Sequence, residues 1–145
     1  MLIGDILAET ANQFPDKLAI ICGKDRITYS ELDNSANRFA NALVREGLTK
    51  DHNIAIYSPN QTEYPTIFFG AARSGVVLAH MSSRFTIDEL ESVITKTDIE
   101  ALFVHFSLSK MVLKLHERVP TLKRIIIFVI HYFGQVKFNT IRFNP

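Results

Sequence analysis

The residues suited to chemistry are few and scattered. Five histidines, His52, His80, His105, His116 and His131, are candidates for proton transfer or metal ligation. None has a second histidine four residues on. None sits in a His-Glu-x-x-His run, the spacing that brings two imidazoles to one helix face around a zinc ion. A metal centre is therefore not expected. The one cysteine, Cys22, ends an apolar run, which predicts a buried, unreactive thiol. A lone cysteine also excludes an internal disulfide. The most suggestive group is His80 with Ser82-Ser83-Arg84. Serines and an arginine ahead of a helix could hold an anion on its free amides. A histidine at the carboxyl end of a parallel strand lies where such sheets bind ligands. A polar turn without a ligand explains the same residues and is the preferred reading. No catalytic, cofactor-binding or metal-ligating residue is assigned.

The elements that would position these residues follow from apolar spacing. Ile3, Ile6, Leu7, Ala11 and Phe14 recur at helical intervals, and Pro15 stops the run. Leu18–Cys22 and Arg26–Thr28, joined by Gly23-Lys24-Asp25, read as a small β-hairpin. Thr28-x-x-Glu31 is a capping box. Behind it Leu32, Ala36, Phe39, Ala40, Leu43 and Val44 form one stripe, closed at Gly47. Short apolar strands then alternate with helices. The strands are 53–58, 76–79, 101–104 and 125–130. The helices run from Tyr64 to about Gly75, from a second capping box at Thr86-x-x-Glu89, and through Leu108, Met111, Val112 and Leu115. Unalternating strands separated by helices predict an α/β fold: a parallel sheet with helices on both faces, preceded by a helix and a hairpin.

Composition narrows the class. The chain has 145 residues, 47% hydrophobic and 21% charged, with a net charge of +1. That supports a packed core and argues against disorder or a nucleic-acid partner. The longest apolar stretch, 125–130, falls far short of the roughly 20 residues of a membrane span. No secretory signal is visible at the start, with acids at Asp5 and Glu9, so a cytoplasmic location is expected. Charge is uneven. Arg118, Lys123, Arg124, Lys137 and Arg142 follow one another with no acid between Arg118 and Pro145, leaving 11 basic against 15 acidic residues before them, a net of −4.

Several short motifs carry a family resemblance. They are Phe14-Pro15-Asp16 with Ala19, Thr28-Tyr29-Ser30-Glu31-Leu32, the small-residue helix Ala36–Gly47, the strand and turn Ile54–Asn60, and Phe69-Gly70-Ala71-Ala72-Arg73-Ser74-Gly75. In this order and spacing the chain resembles the N-terminal stretch of the adenylate-forming (AMP-dependent synthetase/ligase) superfamily. Arg84, Thr86 and Glu89-Leu90 look most like acyl-CoA synthetases, although His80 and Ser82 stand where those enzymes commonly have proline and asparagine. The matching residues themselves read as structural, through capping and packing. The resemblance extends to residue 128; residues 129–145 form an unmatched basic-aromatic tail.

The resemblance implies a two-step activity with ATP, Mg2+ and coenzyme A: a carboxylic or fatty acid becomes an acyl-adenylate and then a CoA thioester. The first step needs a Gly/Ser/Thr-rich phosphate loop, and the family also uses a lysine from a C-terminal domain. The six glycines, Gly4, Gly23, Gly47, Gly70, Gly75 and Gly134, form no such loop. The expectation is a truncated acyl-CoA synthetase, inactive alone and prone to self-association. The alternative is a non-catalytic interaction module that pairs with a full-length synthetase or another partner. A small flavodoxin-like nucleotide binder with its own site near His80 is the weaker third reading. For the tail, the loss of acids and of family pattern favours sequence read past a frameshift or splice error. The other two readings are an added strand that covers the sheet edge and a basic-aromatic contact surface.

Overall fold

Local chemistry sets where two of the helices begin. The Thr28 hydroxyl accepts from the Glu31 N–H at 3.2 Å, and the Glu31 carboxylate accepts from the Thr28 N–H at 2.8 Å. Thr86 and Glu89 repeat the exchange at 3.3 and 2.7 Å. Each box satisfies amides that the first helical turn leaves without partners. Thr28→Ala is expected to cost about 1 kcal/mol of stability. The check is the urea midpoint, and an unchanged midpoint would contradict the assigned helix start.

The computed structural model describes residues 1–131 and 135–143. In chain order the elements are α1 (Ile3–Gln13), β1 (Leu18–Cys22), β2 (Asp25–Thr28), α2 (Tyr29–Arg45), β3 (Asn53–Tyr57), α3 (Glu63–Ser74), β4 (Val77–Met81), α4 (Ile87–Lys96), β5 (Ala101–His105), a 3-10 turn (Phe106–Leu108), α5 (Ser109–Val112), α6 (Leu115–Arg118), β6 (Arg124–His131) and β7 (Gln135–Arg142). They form two units. Residues 1–51 and 60–77 make the first; residues 52–59 and 78–145 make the second.

The first unit joins α1, α2 and α3 to the antiparallel ribbon β1–β2. Leu7, Leu32 and Ala36 are its buried centre, with Ala19, Ile20 and Ile27 of the ribbon packed against them. Arg73, near the end of α3, fastens the other two helices. Its guanidinium donates to the Gly4 carbonyl (3.2 Å), the Asp33 carbonyl (3.1 Å), the Asn37 amide oxygen (2.8 Å) and the Asp33 carboxylate (2.5 Å). Gly75 then ends α3 with φ +82°, a left-handed conformation that glycine adopts without penalty. Cys22 is half-buried, not buried as its apolar run predicts. The ribbon has one covered face, so alternate residues such as Ile21, 63% exposed, point outward, and Cys22 lies at the turn end.

The second unit holds a five-stranded sheet in the order β4-β3-β5-β6-β7. β3, β5 and β6 run parallel, with Ile56 beside Phe103 and Phe103 beside Ile126. Every residue of β5 is buried, which explains its unbroken apolar run. Leu90 and Ile94 of α4, Val112 of α5 and Leu115 of α6 pack with Tyr57, Leu102, Val104 and Ile125 in one cluster. The chain is thus α/β, with a mostly parallel sheet flanked by helices and an N-terminal helix and hairpin ahead of it.

Two stretches differ from the sequence expectation. Leu108–Leu115 is not one helix. The 3-10 turn, α5 and α6 replace it, and they bury Val112 and Leu115 while leaving Met111 and Leu113 exposed. In the tail, residues 135–142 form β7, antiparallel to β6, with Phe138 opposite Phe128 and Thr140 opposite Ile126. β7 thus stands at the end of the sheet order, beside β6. The Phe138 ring stands edge-on to Phe103 at 6.3 Å, and Phe143 stacks on His116 at 3.7 Å. Tyr132, Phe133 and Gly134 lie outside the described residues.

Candidate functional site

The carboxyl ends of β3, β4 and β5 are where a parallel sheet would present a site. Tyr57 ends β3. Its side chain is fully buried, and its hydroxyl donates to the Phe85 carbonyl at 3.0 Å. This ties the turn after β4 to the end of β3. Burial pushes the Tyr57 phenol up from its ordinary pKa, so the hydroxyl keeps its proton and remains a donor.

The turn itself is Ser82–Phe85. The Phe85 N–H donates to the Ser82 carbonyl at 3.0 Å, and the Arg84 N–H donates to the Ser82 hydroxyl at 3.3 Å. Ser82 therefore shapes the turn. The N-terminus of α4 just beyond is filled by its own Glu89 carboxylate, with Asp88 beside it. An incoming anion would meet the Glu89 carboxylate there, and the Asp88 carboxylate is already paired with Arg118, so the geometry of Ser82-Ser83-Arg84 is that of a polar turn. His80 lies within β4 and is exposed.

The histidine with the more unusual surroundings is His105, at the carboxyl end of β5. It is 6% exposed, with its ring against Phe128 and Phe106. Its Nδ1 accepts from the Ser107 N–H at 3.4 Å and lies 2.7 Å from the Ser107 hydroxyl. An N–H donating to Nδ1 makes that nitrogen an acceptor, so the serine hydroxyl donates as well and the ring proton resides on Nε2. Burial pushes the imidazole pKa down and keeps the ring neutral. A neutral imidazole accepting from a serine could polarise the hydroxyl. The same pair also caps the 3-10 turn, and that local role accounts for its geometry. Sequence reasoning put His80 ahead of His105. The available signal was its position directly after the apolar run 101–104.

His52 and His116 stand apart, and the side chain of His131 lies outside the described residues. His52 faces the Glu100 carboxylate at 3.8 Å, and His116 stacks on Phe143. Among the described residues no three His, Cys, Asp or Glu side chains come together as a metal site, and no helix is long and apolar enough to cross a membrane.

The strand-end residues thus serve turns and caps, and the ancestry of the scaffold becomes the informative feature. The family profile described as AMP-binding enzyme matches residues 7–141. The chain belongs to the AMP-binding enzyme family. The match runs past residue 128 and takes in most of β7. Among curated AMP-binding relatives, a medium/long-chain-fatty-acid–CoA/3-oxocholest-4-en-26-oate–CoA ligase of Mycolicibacterium smegmatis is 30% identical over 125 residues, covering 86% of this chain and 23% of that ligase. A putative acyl-CoA synthetase, YngI, of Bacillus subtilis is 30% identical over 104 residues, 70% of this chain and 19% of its own length. A putative long-chain-fatty-acid CoA ligase of Rhodopseudomonas palustris superposes with a TM-score of 0.83 at 21% identity, over 92% of this chain and 34% of that one. The chain therefore spans about a quarter of the length of the M. smegmatis ligase.

Proposed function

We propose that the chain is the N-terminal portion of an acyl-CoA synthetase scaffold. In a full-length member of this kind, ATP and Mg2+ would convert a carboxylic or fatty acid to an acyl-adenylate, and coenzyme A would take the acyl group. The reading rests on one observation: 86% of this chain aligns with 23% of a fatty-acid–CoA ligase. In this reading the activity, its place in fatty acid metabolism and a cytoplasmic setting belong to a polypeptide that carries the remaining parts. The 145 residues hold no Gly/Ser/Thr-rich phosphate loop. The strand ends hold side chains engaged in turns and caps. The purified chain is therefore expected to show no ATP–pyrophosphate exchange with any fatty acid. Exchange clearly above a no-protein control, with host synthetase excluded, would overturn the reading.

A second reading takes these residues as a non-catalytic module that pairs with itself or with a full-length synthetase. Its support is β7, eight residues long at the end of the sheet order, with Phe138, Asn139 and Thr140 exposed. An edge strand offers backbone groups to another chain. Light scattering across a concentration series is the test. Under this reading the apparent mass rises with concentration, and a constant 16.5 kDa species contradicts self-pairing.

A further inference from the structure

Glu63 opens α3, yet it is 4% exposed. A charged residue in the first turn of a helix usually faces water, where the helix dipole favours it. Here one carboxylate oxygen, Oε2, is buried with no hydrogen-bond partner. The partners that act on the carboxyl are its own backbone N–H and the Thr62 side chain. Among the described residues no cation pairs with it.

The charges around it make ionisation harder. The Asp25 carboxylate on β2 is near enough to repel a second negative charge. Arg26, beside Asp25, donates its guanidinium to the Gly23 and Asp25 carbonyls. Arg73, the cation that α3 shares with α1 and α2, is ten residues along the helix, about 15 Å away, and is held by Asp33. A buried, unpaired carboxylate is among the least favourable groups a fold can hold, and such a group takes up a proton instead.

We propose that Glu63 is a built-in proton site: its carboxyl keeps its proton in the folded chain to a higher pH than in the unfolded chain, and stability of the helical unit is coupled to pH through it. Burial is the largest influence and raises its pKa above the ordinary glutamate value of about 4.3; the hydrogen bonds from its own N–H and from Thr62 oppose that rise, and Asp25 adds a smaller push upward. The unfolded chain, with an ordinary glutamate, releases its proton at lower pH than the folded chain does. Between the two values the folded state binds more protons. Its contribution is fully present below about pH 4.3 and is lost as pH rises through the folded value.

The test compares the parent with Glu63→Gln, whose amide matches the neutral acid in shape and charge. Urea unfolding is followed from pH 4 to pH 8. For each pH unit inside the window, the parent's unfolding constant rises by up to about tenfold relative to the variant's. Parallel pH profiles for the two proteins would overturn the proposal. So would a parent that gains stability over the variant with rising pH. A second measurement needs no variant: the 13C shift of the Glu63 carboxyl, followed by NMR in the parent. The expected titration midpoint lies above that of the exposed glutamates, and Asp25→Asn lowers it. A midpoint at or below the ordinary glutamate range would refute the proposal.

Discussion

Arg73→Ala is expected to lower the stability of the folded chain by about 3 kcal/mol, the low end of what removing one partner of a buried ion pair costs. The side chain of Arg73 is 13% exposed and that of Asp33 is 21% exposed, so water screens the pair only weakly. The loss is larger than the pair alone, because four acceptors on two helices share the guanidinium. Without it, the Gly4 carbonyl on α1 and the Asp33 carbonyl and carboxylate on α2 lose a donor together. Arg73→Lys separates charge from geometry. An ammonium can meet the Asp33 carboxylate but cannot span acceptors on α1 and α2 as the planar fork does. An intermediate loss is expected, on the order of half that of Arg73→Ala. Chemical unfolding of the three proteins is the check. A loss below about 0.5 kcal/mol for Arg73→Ala, the range of ordinary surface changes, would show that Arg73 does not hold the helices together.

This result bears on how the family motif is understood. Arg73-Ser74-Gly75 reads from sequence as a basic residue, a small residue and a helix-ending glycine. Gly75 was legible because a left-handed C-cap is a local requirement. The two capping boxes were legible for the same reason, each being decided within four residues. The alternation of strands and helices was legible because each apolar run is buried on the scale of a single element. The role of Arg73 was not legible, since its acceptors come from residues 4, 33 and 37, brought near only by packing. Glu63 escaped for a related reason: nothing in Asn60-Gln61-Thr62-Glu63 distinguishes a buried carboxylate from a solvated one. His105 was visible as a strand-end histidine, but the Phe106 and Phe128 rings that bury it follow from the fold. The breaks around α5 and α6 were hidden because the spacing of Val112 and Leu115 fits one helix or two. In the tail, the separation of Phe138 and Ile141 does not announce a strand, and pairing with β6 supplies what local pattern lacks.

The close approach of α2 and α3 leads to the second large effect. A Cβ built on Gly70 would lie 2.7 Å from Phe39 Cδ1, 2.9 Å from the Ala36 carbonyl oxygen and 3.0 Å from Phe39 Cβ. Two effects oppose each other in Gly70→Ala. Alanine is better than glycine inside a helix by about 1 kcal/mol. Against this, overpacking a tight contact costs about 1–3 kcal/mol. The obstacle decides which wins. Phe39 could swing its ring only by leaving a site where it is 5% exposed, and Ala36 presents backbone, which moves only with its helix. A net loss of about 1 kcal/mol is expected for Gly70→Ala. Gly70→Val adds two methyl groups at the same point and gains less helix propensity, so the clash dominates and the loss reaches about 3 kcal/mol. Thermal and urea unfolding should rank the parent above Gly70→Ala, and Gly70→Val last. If Gly70→Ala were as stable as the parent or more so, propensity would have won. The two helices would then have room to separate, and the glycine would reflect helix tolerance and not their contact.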